Sequence, residues 1–188
     1  MTKKTTFAED LRVFKNVRAL TLAAMLTAMS VVIGILCKNF LTFNIYYRIT
    51  FENLPVIFAA ILFGPFMGAA VGVCADLVSC LCSANPVVNP IISVGALAVG
   101  FLAGLISHHI SFRSENPRIA LSVAAAHLVG QVIIKSIGKI LWYAMPWYGV
   151  FIGLGFSVVI GILEFFAIRY LLNHSALAAG IGKLGNGK

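Results

Sequence analysis

"HLVGQVIIKSIGKILWYAMPWYG", residues 127–149, is an apolar stretch with a polar residue at every fourth position from its start: His127, Gln131, Lys135 and Lys139. Four steps on an α-helix advance about 400°, so these side chains form one slowly turning stripe. Each charge at a bilayer centre costs about 2.5–3.5 kcal/mol on insertion scales. Two lysines on such a helix therefore call for a water-filled pocket, an anionic partner, or snorkelling to the interface. Lys139 is close enough to Trp142 and Tyr143 to snorkel, whereas Lys135 lies one turn deeper.

The rest of the chain says which solvent surrounds that helix. Its 188 residues are 60% hydrophobic and only 11% charged, with a mean hydropathy of +0.98. Soluble domains run about 45–50% apolar and about 25% charged. One aqueous core cannot hide this much apolar surface, so the composition predicts an all-α integral membrane protein with one membrane domain. The lead-in "MTKKTTFAEDLRVFKNVR" is polar and basic. The apolar run after it exceeds a signal-peptide core and lacks a clear cleavage site, which predicts a retained first span.

Spans of about 20 apolar residues, shorter where sheltered, are expected near 18–37, 53–64, 67–82, 91–110, 118–143 and 148–172. Residues 1–173 then form a compact six-span bundle, and the Gly-rich 174–188 a flexible cytoplasmic tail. Six crossings put Lys3, Lys4, Arg12, Lys15, Arg18, Arg113, Arg118, Arg169, Lys183 and Lys188 on one side. Basic residues favour the cytoplasmic side, so both termini should be cytoplasmic. This placement also accounts for the net charge of +8 without nucleic acid.

Glycines at four-residue spacing (Gly64, Gly68 and Gly72; Gly100 and Gly104; Gly149 and Gly153) point to close intramolecular helix packing. Ala24 and Ala28 repeat the small-residue spacing on the first span, where they face either a neighbouring helix or a partner. Cys37, Cys74, Cys80 and Cys82 have no metal spacing and read as small apolar residues in a packed interior. His108 and His109 read as a solvated helix end. No Walker A, H-E-x-x-H or G-x-S-x-G motif appears, so no covalent or nucleotide chemistry is recognisable.

Polar residues concentrate instead in the outer half. Arg48 and Glu52 close the first outer loop, Asn85 and Asn89 lie in the second, and Asp76 lies mid-span. An intramembrane acid is a functional-site candidate, its alternative being a structural ion pair with Lys135. Glu164, in the inner half, calls for a hydrogen bond or an ion pair. Phe40, Phe43, Tyr46 and Tyr47 crowd one loop, dense enough to stack on a flat ligand. Trp142, Tyr143, Trp147 and Tyr148 share that side, where an aromatic belt is also expected. The pattern describes an outward-facing pocket for a flat, polar, anionic small molecule. A homo-oligomeric channel would need a polar lining reaching inward, and an intramembrane enzyme a nucleophile or ligand set.

"ITFENLPVIFAAILFGPFMGAAVGVCADLVSCL" (49–81) and "NPIISVGALAVGFLAGLI" (89–106) resemble the substrate-binding S components of energy-coupling factor (ECF) vitamin transporters, most of all the folate family. The resemblance implies six transmembrane helices in a bacterial cell membrane and high-affinity vitamin capture from outside. It also implies docking to a transmembrane scaffold subunit and two ATPases, with ATP used by those partners and no cofactor in this chain. The family's alanine-x-x-x-alanine scaffold contact is matched by Ala24 and Ala28. Folate's pterin edge would suit Asp76 or Glu52, and its glutamate carboxylates Lys135, Lys139 or Arg48. Gln131, His127, Asn89, Tyr46, Tyr47 and Trp142 complete the expected ligand-binding set.

Overall fold

The computed structural model describes residues 7–40, 51–82, 89–110, 114–143 and 146–173, and every regular element among them is helical. Arg48, Tyr46, Tyr47, Asn85 and the expected tail at 174–188 lie outside the described residues. A short helix, α1 (Phe7–Arg12), and a 3-10 turn (Val13–Lys15) precede the first long helix, α2 (Val17–Phe40). Then come α3 (Asn53–Phe63), α4 (Pro65–Leu81) and α5 (Pro90–His109). The ladder helix is composite: α6 (Glu115–Ala125), a π-helical stretch (Ala126–Ile134) and α7 (Lys135–Tyr143). α8 (Tyr148–Asn173) ends the described chain.

Four of these helical segments are long and apolar enough to cross a membrane: Val17–Phe40, Pro90–His109, Glu115–Trp142 and Tyr148–Asn173. The other two, α3 and α4, are apolar but shorter. α1 was not foreseen; the basic lead-in hid it. Its Asp10 is buried against the turn between α3 and α4, beside Gly64. His109 Nε2 donates to Asp10 Oδ2 at 3.0 Å, and His108 Nε2 donates to the Ile61 carbonyl at 3.0 Å. The paired histidines are thus partly buried anchors rather than a solvated helix end.

α3 is the hub. It packs against α2, α4, α5, α6 and α8, and nine of its eleven residues are buried, so it does not need to match the bilayer thickness itself. Gly64 (φ +95°) turns the chain from α3 into α4, in a backbone region that side chains disfavour. Pro65 then begins α4, where its missing N–H costs nothing.

α4 and α5 form the closest pair through their glycines. A Cβ on Gly68 would run into Ala60 and the Gly100 carbonyl, and one on Gly100 into the backbone of Gly68. Gly72 and Gly104 are similarly closed by Ala96 and Pro65. The expected intramolecular packing therefore holds there. It fails at Gly153, whose Cβ would meet nothing within 4 Å, because that face of α8 has no neighbour among the described residues. The cysteine expectation also needs correction: Cys37 is buried, but Cys74 and Cys82 are exposed on the bundle's outer surface, where an apolar solvent accepts a thiol equally well.

Candidate functional site

The ladder meets the bundle core at Lys135. Its stem crosses Gly95, where a Cβ would come within 2.6 Å of Lys135 Cγ. Its Nζ stops 3.7 Å from Glu52 Oε1, with both side chains largely buried. Glu52 precedes the first turn of α3 and is held from α2: the Ser30 hydroxyl donates to the Glu52 carbonyl at 2.6 Å. The Glu52 carboxylate sits over Gly34, where a Cβ would approach Oε2 to 2.9 Å. Two glycines on different helices thus make room for one buried ion pair.

A cavity of about 20 Å³ lies at this pair, lined by Ser30, Asn53, Asp76 and Ser79 as well as Glu52 and Lys135. That volume suits about one water, whereas ligand pockets run to about 300–1,000 Å³. Asp76 does not form the alternative ion pair with Lys135. Its Oδ2 accepts from the Ser93 hydroxyl at 2.7 Å, so α4 and α5 are joined by this bond while Glu52 supplies the counter-charge. Asn53 Nδ2 is buried with no partner among the described residues, a donor available to a ligand at this cavity. Lys38, from the end of α2, donates to the Ser79 carbonyl at 3.1 Å beside the site.

The remaining candidates fall elsewhere. His127 is buried and shares a 2.8 Å hydrogen bond with Glu164 Oε2, linking the π-helical stretch to α8. This pair answers the question Glu164 raised. His127 also lines an apolar groove of about 340 Å³ between the ladder helix and α8. Gln131 is half-buried, with its Oε1 unpartnered among the described residues. Lys139 is half-buried one turn beyond Lys135. Asn89 caps α5, accepting from the Ile91 and Ile92 amides at 3.0 and 3.4 Å. Trp142 is half exposed and does not line the Lys135 cavity, a position that suits an aromatic belt.

Ala24 and Ala28 are exposed on α2. They line a groove of about 560 Å³ between α2 and α4, with Phe14, Met67, Val71 and Cys74 among its other walls.

Sequence reading had missed Ser30, Gly34, Asn53, Ser79 and Ser93. A signal was present: each is a small or polar residue in or beside an otherwise apolar helix.

Fold and site together define an apolar helical bundle with a buried ion pair and a small polar cavity at its heart. The family described as "ECF transporter, substrate-specific component" matches residues 18–185, and the chain belongs to it. It is therefore a substrate-binding component of a membrane transporter, not an enzyme. The fold is shared with a solved structure described as FolT bound with folic acid. The two are 19% identical, with a TM-score of 0.68 over 83% of this chain and 93% of that one. No curated protein matches the chain.

Proposed function

We propose that this chain captures folate or a close acidic pterin from outside a bacterial cell and delivers it through an ATP-driven ECF module. Six helical segments, α1 aside, serve as spans, the two short ones sheltered by the others, with both termini in the cytoplasm. The observation that carries the ligand reading is the buried Lys135, a cation facing a small polar cavity that also holds Asp76 and Asn53. A ligand carboxylate gains a charge-assisted bond there. A neutral vitamin would not need Lys135. The similarity in fold to FolT bound with folic acid supports the same choice.

Delivery requires partners. The groove lined by Ala24 and Ala28 admits the close approach of another helix, as a scaffold subunit contact needs. ATP is hydrolysed by two partner ATPases, and this chain carries no cofactor. The transport step is a toppling of the whole bundle within the membrane.

The test is to purify the chain in detergent and identify co-purifying small molecules by mass spectrometry, then titrate folic acid by calorimetry. A co-purified folate and saturable binding are expected. A different vitamin in the preparation, with no heat from folic acid, would reassign the substrate.

A further inference from the structure

We propose that Glu52 is a built-in competitor for the ligand: it occupies the anion position at Lys135 in the empty site and yields that position to a ligand carboxylate. The inference rests on the reading of this site as the vitamin pocket, and adds how it is kept ready and how it selects acidic ligands.

Three observations carry it. Lys135 is 6% exposed, and a lysine so buried requires a counter-charge. The Glu52 carboxylate supplies one, but at 3.7 Å, longer than the roughly 2.7–2.9 Å of a charge-assisted hydrogen bond. The pair is neutralised, but not through a short hydrogen bond. The space around it is about 20 Å³, so a ligand carboxylate cannot simply be added to the pair. It has to replace one partner.

Glu52 is the partner that can move. Lys135 Nζ is placed by a stem wedged over Gly95, and that helix is tied to α8 through His127 and Glu164. The Glu52 side chain leaves the start of α3, whose first turn has no side-chain cap. A carboxylate swung toward that turn meets the positive end of a helix dipole, and the Asn53 Nδ2 donor, unpartnered among the described residues, lines the same cavity. The backbone of Glu52 stays anchored by Ser30 during such a swing. A neutral ligand cannot make the exchange, because displacing Glu52 would leave Lys135 buried and unpaired.

The test uses the full chain in lipid nanodiscs, with folic acid and a pterin lacking carboxylates as probes. Glu52→Gln should tighten folic acid binding by about tenfold or more and leave the neutral pterin unchanged. It should also lower the melting temperature of the ligand-free protein and enlarge the upward shift on adding folic acid. Gly34→Ala is the second variant. It pushes the Glu52 carboxylate off its seat without removing charge, and the atom it displaces is the end of a flexible side chain. It should tighten folic acid binding in the same direction, by a smaller factor.

If both variants bind folic acid no more tightly than wild type, the competitor idea is wrong while the pocket stands. Equal weakening for both probes in Glu52→Gln would make Glu52 a direct ring contact and overturn the proposal. A wild type that binds neither probe sinks the reading of the pocket, and this inference with it.

Discussion

At the scale of single residues, Lys135 and His127 show how one stripe can serve two purposes. Both were visible as a ladder in the sequence, and both are buried, but they face different partners. Lys135→Ala should weaken folic acid binding by about one to two decades, since a hydrogen bond to a charged group contributes roughly 1.5–3 kcal/mol. Lys139→Ala should cost less, because Lys139 is only half-buried. Calorimetry with folic acid and a carboxylate-free pterin separates this from a folding defect, which would reduce both. His127→Ala should act on stability instead. Leaving the other partner of a buried hydrogen bond unsatisfied costs about 1–3 kcal/mol, read as a lower melting temperature with a similar dissociation constant in the molecules that remain folded. A loss of affinity with no change in melting would return His127 to the ligand site. The ladder was legible because four-residue spacing is a property of one helix. The choice of Glu52 over Asp76 as the partner of Lys135 was not, because it depends on how α2 and α3 seat the acid over Gly34.

Between elements, glycine spacing was a good guide only where a second helix is present to use it. Gly100→Val should drive α4 and α5 apart and abolish the folded yield in detergent, since its side chain would occupy the Gly68 backbone. Gly153→Val should be tolerated in the isolated chain, where nothing lies within 4 Å. Equal yields for the two variants would undo this account of helix packing. The apolar runs mark helices, and α3 and α4 are both short ones. The π-helical stretch at Ala126–Ile134 was not legible, since hydrophobic periodicity over nine residues does not separate an i→i+5 ladder from an i→i+4 one. The exposed face of α2 carries its own prediction. Ala28→Trp should fill the groove between α2 and α4 and stop vitamin uptake in cells, while the purified variant binds folic acid normally. Normal uptake would move the scaffold contact elsewhere.

For the whole molecule, composition alone decided the solvent, and motif matching reached the family before any coordinates. What neither reached was depth. α3 rises only about 16 Å, at 1.5 Å per residue over its eleven residues. One end, at Gly64, adjoins Asp10 and the paired histidines at the polar end of the bundle. The other end is Glu52. A hydrocarbon layer is about 30 Å thick, so a ligand exchanged onto Lys135 would rest near the middle of the barrier. It would have travelled there by diffusion, driven only by its affinity for the site. On the proposed function, an ATP-powered stroke would have about half of the distance left to cover, and one of the ligand's carboxylates would already be paired for the journey.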